Sequence, residues 1–268
     1  METGLRGKTA LVTGGASGIG RGIALVLAEE GVNLAIASRN PDPAVIAEIE
    51  ARGAERGARC VRIAADVSRE EEVQRMVAEA IAQLGRLDFY INNAAWTWHQ
   101  PITRIDSESW QKTIDTNLSA AVWATRDVCK HMIDRGGGGG IVIIGSTVRF
   151  FPSYRETSYR VSKMGLKMLM QNLAIEMAPH GIRVNMVTPG HYQTRMTGGI
   201  SERVEKTMLE TIPAHRFGEV TEVGNAVAFL LSDRLSGYTY GADLVIDGGL
   251  TLHPLSIYTQ DEIKGFNL

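Results

Sequence analysis

Apolar residues fall along this chain in two alternating patterns. Short unbroken runs such as KTALVTG (8–14), VNLAIAS (32–38), RLDFYIN (86–92) and GIVIIGS (140–146) end at glycine, asparagine or serine. Between them, apolar residues recur every three or four positions over longer stretches. The first pattern predicts strands and the second helices. Strands are expected at 8–14, 32–38, 58–66, 86–92, 140–146, 182–188 and 243–247. Helices are expected at 19–31, 43–56, 68–85, 107–134, 156–178 and 221–233. Gly31 is placed to cap the first helix. SREEEVQRMVAEAIAQLG (68–85) opens with Ser68 as expected N-cap and glutamates in its first turn, where the helix dipole favours them.

Strands this apolar have no face to give to water, so helices must cover the sheet on both sides. The expected fold class is α/β: one doubly wound, Rossmann-type domain of about seven parallel strands. No Pro- or Ser-rich linker divides the chain and no repeat is visible, so residues 1–251 read as one domain, with 252–268 as its C-terminal extension. The five glycines 136–140 precede a strand rather than open a helix, which makes them a connection and not a phosphate cradle.

Composition adds exclusions. The 268 residues suffice for a large core, and 44% hydrophobic with 22% charged residues is ordinary for a globular protein. A formal charge of −2 gives no reason to expect nucleic acid or an anionic membrane as partner. No apolar stretch approaches the roughly 20 residues needed to span a bilayer. The start, METGLRGKTA, lacks an apolar signal core, so a cytoplasmic location is expected. Cys60 and Cys129 are too few and too distant for a zinc site or disulfide framework and read as small buried hydrophobes. The six histidines form no ligand motif, so no metal is expected.

The first strand runs into TGGASGIG (13–20). Gly14, Gly18 and Gly20 permit unusual backbone angles, and with Ser17 and Ile19 they open a helix whose N–H groups suit a pyrophosphate. A merely tight turn is the plainer alternative. An NAD-binding unit commonly has an acidic residue about 20 positions on, at the adenosine ribose. Here Ser38 stands there, followed by Arg39, a pair suited to a 2′-phosphate. A solvated surface arginine is the alternative.

Tyr159 and Lys163, in SYRVSK (158–163), share a helix face. A free phenol titrates near 10, too high for neutral-pH catalysis, and a nearby ammonium would favour the phenolate. A surface Tyr–Lys pair is common, but Ser146 ends a strand 13 residues earlier, where open parallel sheets bind ligands.

With these residues the chain resembles the short-chain dehydrogenase/reductases, and in ASRN (37–40) their NADP-preferring branch. The resemblance covers residues 7–250 through TGGASGIG, DV (66–67), NNAA (92–95), Asn117, Ser146, YRVSK (159–163), NMVTPG (185–190) and DGG (247–249) in order. It implies that Tyr159 exchanges a proton with the substrate oxygen and that Ser146 hydrogen-bonds that oxygen. Lys163 would lower the Tyr159 pKa and hold the nicotinamide ribose, and Asn117 would support a water relay to Lys163. Asp66 and Val67 would lie by the adenine, Asn92 and Ala94 at the adenosine end, and Pro189, Gly190, Tyr192 and Thr194 around the nicotinamide. Two positions depart: Ala95 replaces the usual glycine, and Ser17 is not basic. Arg39 must then hold an extra phosphate largely alone.

The implied reaction is reversible hydride transfer between NADP(H), rather than NAD(H), and a carbonyl or secondary alcohol of a small molecule. A ketone, sugar or polyol is the first expectation; a 3-oxoacyl thioester on an acyl carrier and a non-catalytic dinucleotide-dependent regulator are the alternatives. Substrate contacts are expected from Trp96, Trp98, Arg149, Phe151 and His191, with His99, Phe150 and Tyr154 nearby, although any one of these aromatics also suits a packing role. Arg149, Arg155 and Arg195 suit an acidic group or carrier, with plain solvation the default. Residues 195–217 resemble the family's substrate lid. A homotetramer is expected, and Leu252, Leu255, Ile257, Tyr258 and Phe266 make the tail too apolar for plain disorder.

Overall fold

A computed structural model describes residues 2–192 and 202–252. Strands β1 (Thr9–Thr13), β2 (Asn33–Ser38), β3 (Cys60–Ala64), β4 (Phe89–Asn92), β5 (Gly139–Ile144), β6 (Ile182–Pro189) and β7 (Asp243–Ile246) match the seven expected runs. They form one parallel sheet in the order β3-β2-β1-β4-β5-β6-β7. Helices α1 (Gly18–Glu29), α2 (Pro43–Gly53), α3 (Glu70–Leu84), α4 (Ser107–Ile114), α5 (Ala120–Arg135), α6 (Thr157–Met177), α7 (Glu202–Thr211) and α8 (Val220–Leu231) connect them.

The two-residue period of β1 decides the layering. Ala10 and Val12 pack with α1 and α8 on one face, while Leu11 packs with α3 and α5 on the other. Every β1 residue is buried, which is why the run lacks polar alternation. At its end α1 closes through Gly31, whose φ of +80° few other residues tolerate. The Gly31 and Val32 amides return to the Ala28 and Leu27 carbonyls at 2.9 and 3.0 Å.

Two expectations need correction. Ser68 is not the N-cap of α3; Arg69 is. Ser68 instead donates its amide (3.0 Å) and hydroxyl (2.7 Å) to Asp66 Oδ1. The carboxylate two residues earlier outcompetes the helix for those groups. Nor is 107–134 one helix. A π turn at Asp115–Ser119 separates α4 from α5, and Asn117 lies inside it.

Gly136, Gly137 and Gly138 lead into β5 as a connection, all with positive φ. Cys60 and Cys129 are buried free thiols, and burial pushes both up to about 12, which leaves them inert. Among the described residues no helix is long and apolar enough to cross a membrane, and no His, Cys, Asp or Glu cluster suits a metal. The carboxyl ends of β1, β4, β5 and β6 share one edge of the sheet. Between β1 and β4 the strand order reverses, which opens the crevice where such folds bind ligands.

Candidate active site

Three of the four proposed catalytic side chains converge at that edge. Ser146 follows β5, and Tyr159 and Lys163 lie two and six residues into α6. The Ser146 hydroxyl lies close enough to the Tyr159 phenol to favour its ionised form, while Lys163 Nζ lies 5.7 Å from the phenol ring centroid and donates to the Ile144 carbonyl at 3.0 Å. Lys163 is only 2% exposed, and burial pulls its ammonium down to about 8.

The expected lowering of Tyr159 is not found. Burial pushes the phenol up to about 12; Ser146 and Arg160 oppose the rise and Glu156 adds to it. Desolvation outweighs a single hydrogen bond here. The phenol is therefore protonated at neutral pH, the form that donates.

Asn117 is also differently employed. Its Oδ1 accepts from the Trp96 amide (2.8 Å), and its Nδ2 donates to the Trp96 carbonyl (2.9 Å) and Ser162 Oγ (3.0 Å). The side chain pins the loop after β4 onto α6.

At the glycine turn, packing and ligand demands separate. A Cβ on Gly20 would lie 2.2 Å from the Gly14 carbonyl oxygen, so Gly20 is needed for the helix to sit on the turn. Gly14 and Gly18 have φ of +66° and +50°. Ser17 caps α1 in extended conformation without a side-chain bond, and no acidic residue occupies the first turn of α1. That leaves a positive helix end suited to a phosphate. Sequence reasoning missed the brace beneath it. Asn93 Nδ2 donates to the Thr13 carbonyl at 2.9 Å, and Thr13 Oγ1 accepts from the amides of Asn93 and Ala94. Asn92 itself is 4% exposed and accepts from the Tyr90 hydroxyl at 3.0 Å, so its side chain points into the core.

At the expected adenosine end, Ser38 closes β2 and Arg39 follows it. Ser38 Oγ is buried without a hydrogen-bond partner, an uncommon and costly state that a ribose or phosphate oxygen would relieve. Arg39 is exposed and has no ion-pair partner within 4 Å among the described residues. Asp66 is half-buried beside a buried Val67. Burial works to raise the Asp66 carboxyl, but two bonds from Ser68, with Arg39 and Lys112 nearby, hold it below the usual range. These residues fit the adenosine end of a nicotinamide dinucleotide.

On the nicotinamide side, Pro189 ends β6, and a Cβ on Gly190 would meet Asp247 at 2.7 Å. Tyr192, expected beside the nicotinamide, is 4% exposed. Its ring lies against Gly218 and its hydroxyl donates to the Ile246 carbonyl at 3.0 Å. Thr194, Arg195 and Met196 lie outside the described residues, as do Leu255, Ile257, Tyr258 and Phe266.

Among the residues expected on the substrate side, the aromatics pair with one another and one arginine is engaged within the fold. Trp96 and Trp98 stack in parallel with centroids 6.0 Å apart, and Trp98 is 49% exposed. Phe151 meets Phe150 edge-on, and His191 is half-buried, with burial lowering its imidazole against the pull of Glu156. Arg149 is no substrate contact. Its guanidinium is buried in an ion pair with Asp243 and donates to Thr188 Oγ1 at 2.8 Å, tying the loop after β5 to β6 and β7. A charge this buried needs a full partner, which Asp243 supplies.

Fold and site together define a dinucleotide-dependent oxidoreductase of the doubly wound type. The comparisons make that specific. A family model described as enoyl-(acyl carrier protein) reductase matches residues 14–251. The chain is 39% identical to 3-oxoacyl-[acyl-carrier-protein] reductase FabG of Staphylococcus epidermidis, over 91% of this chain and 98% of that protein. It is 34% identical to glucose 1-dehydrogenase 2 of Bacillus subtilis, over 95% and 98%. A crystal structure of a putative short-chain alcohol dehydrogenase from Sinorhizobium meliloti superposes with a TM-score of 0.88 at 35% identity, covering 94% of this chain and all of that one. The chain belongs to the short-chain dehydrogenase/reductases, oxidoreductases acting on a carbonyl or alcohol.

Proposed function

We propose that this protein is an NADP(H)-linked reductase in which Tyr159 donates a proton to a substrate carbonyl oxygen. The convergence of Ser146, Tyr159 and Lys163 carries this reading. When bound, the nicotinamide supplies the hydride. Ser146 holds the carbonyl oxygen beside the phenol, Tyr159 gives its proton to that oxygen, and Lys163 carries the nearby positive charge that offsets the resulting phenolate. Because the phenol is held protonated at neutral pH, the site is set for reduction, and alcohol oxidation gains as pH rises.

Among substrates, a 3-oxoacyl thioester comes first, ahead of the small ketone, sugar or polyol that the sequence favoured, because relatives at 37–39% identity carry that name. One observation favours the sugar reading: the stacked Trp96–Trp98 pair, with Trp98 49% exposed, offers an aromatic face to a sugar ring, and a glucose dehydrogenase is also among the relatives. NADPH oxidation against 3-oxoacyl thioesters, ketones and aldoses separates the two. Thioester turnover supports the first reading, and turnover of aldoses alone overturns it.

Cofactor choice tests the Ser38–Arg39 pair. Arg39→Ala is expected to lower kcat/KM for NADPH by roughly 10- to 150-fold, the worth of one charge-assisted bond, and to leave NADH nearly unchanged. Ser38→Asp goes further by adding repulsion. A wild type that prefers NADH contradicts the pair's role.

The protein is further proposed to be a homotetramer. Val161, Met164, Met168 and Ile175 form an exposed apolar stripe on α6, and Leu244 and Val245 are each 37% exposed on the sheet's edge strand. Two such surfaces suit two isologous contacts. Light scattering should report four subunits; a monomer overturns the proposal.

A further inference from the structure

Arg160 directly follows the proposed proton donor, yet its side chain serves other loops. Its Nη1 donates to the main-chain carbonyls of Val148 and Phe151, and its Nε donates to Glu156 Oε2 at 2.9 Å. Both carbonyls belong to the loop that begins at Ser146. Arg149 ties that loop to β6 and β7, but at its start the Ser146 hydroxyl only accepts from the Val148 amide at a long 3.4 Å.

The network extends to the loop after β4. Glu156 Oε1 lies 3.6 Å from His99 Nδ1. Arg155, in the left-handed region at φ +68°, donates to the His99 carbonyl and accepts from the Gln100 amide, each at 3.0 Å. A non-glycine residue keeps that backbone conformation only where its surroundings hold it. Two loops are thus fastened to the N-terminal end of α6 and the two residues before it.

We propose that Arg160 is a positioning residue for the reaction: its guanidinium clamps the Ser146 loop onto the helical turn that carries Tyr159, with Glu156 holding the clamp in place. This rests on reading Ser146 and Tyr159 as the pair that binds and protonates the substrate oxygen. A guanidinium suits the task because its planar fork serves two carbonyls and a carboxylate at once, whereas a lysine serves fewer with less geometric control. Reactions that depend on alignment lose about 10²-fold for a displacement of roughly 1 Å.

The charged and titratable groups around the phenol are Glu156 at the N-cap of α6 and Arg160 and Lys163 on it, with His191 near Glu156 on the loop after β6 and the Ser146 hydroxyl on the loop after β5. Glu156 raises the phenol and Arg160 lowers it. Removing either charge therefore shifts the pH limb of alcohol oxidation in opposite directions, upward for Arg160→Met and downward for Glu156→Gln. A fault in packing alone has no reason to do so.

The experiment compares kcat, KM, NADPH affinity and pH profile for wild type, Arg160→Met, Arg160→Lys, Glu156→Gln and Tyr159→Phe. Arg160→Met is expected to lower kcat by about 10- to 100-fold with NADPH affinity retained, and Arg160→Lys to recover part of that loss. If Arg160→Met turns over as wild type does, or if Lys gives no recovery and neither limb moves, the clamp is overturned. Should Arg160→Met not fold, Glu156→Gln decides the matter: a lowered kcat with a downward shift of the limb supports the clamp, and wild-type kcat with an unmoved limb overturns it. Tyr159→Phe separates the two claims: full activity there removes the reading beneath the proposal, while inactivity there with a normal Arg160→Met removes the clamp alone.

Discussion

Tyr159→Phe is expected to lower turnover by at least about 10²- to 10⁴-fold, the usual worth of a positioned general acid, while NADPH still binds. The ring remains, so packing on α6 is kept, and only the transferable proton is removed. Burial holds this phenol up to about 12, so it is fully protonated across the neutral range. Carbonyl reduction should therefore be flat with pH near neutrality, and oxidation, which needs the phenolate, should climb on the alkaline side. Turnover of Tyr159→Phe within about threefold of wild type would assign the proton to another group.

Lys163→Met should separate activity from stability. The amine is 2% exposed and is pulled down to about 8 from an unfolded value near 10.5. Between those values the unfolded chain binds more protons than the folded one, so folding stability rises with pH across that window. Below about 8 the cost of burying the charge is fully present, roughly 3 kcal/mol from the shift. Replacement by Met relieves that cost but leaves the Ile144 carbonyl without its donor, at about 1–3 kcal/mol. The two nearly cancel or favour Met. Lys163→Met is thus expected to melt no lower than wild type at pH 7, to lose the stability gain between pH 8 and 10.5, and to be almost inactive. A large fall in melting temperature would mean that the lysine is structural.

Much of the fold was legible because one pattern repeated seven times. Strands such as β1 are buried on both faces and so are written as unbroken apolar runs. The catalytic positions were legible for a related reason: Tyr159 and Lys163 share one helical face, and Ser146 closes a strand. What sequence could not give was competition between partners. Ser68 has the right chemistry for an N-cap, but Asp66 takes its donors first. Arg149 reads as a loop arginine until β7, nearly a hundred residues on, brings Asp243 to it. Tyr192 looks free to meet a ligand until Gly218 makes room for its ring. The Glu156–Arg160 pair was visible at spacing i,i+4, yet its carbonyl partners follow from a tertiary fold. Even the π turn around Asn117 interrupts a helix whose apolar spacing carries no mark of it.

The central claim is that this chain moves a hydride between NADP(H) and a substrate carbonyl. Its most direct test is a single turnover of the wild-type protein with NADPH deuterated at nicotinamide C4, first with a 3-oxoacyl thioester and then with the ketone and aldose panel. The product is read by mass spectrometry and NMR. The account predicts one deuterium on the new carbinol carbon of a reduced product, delivered from one face of the nicotinamide. NADPH that binds but passes no deuterium to any carbonyl in the panel would contradict it and leave the protein a dinucleotide-binding regulator.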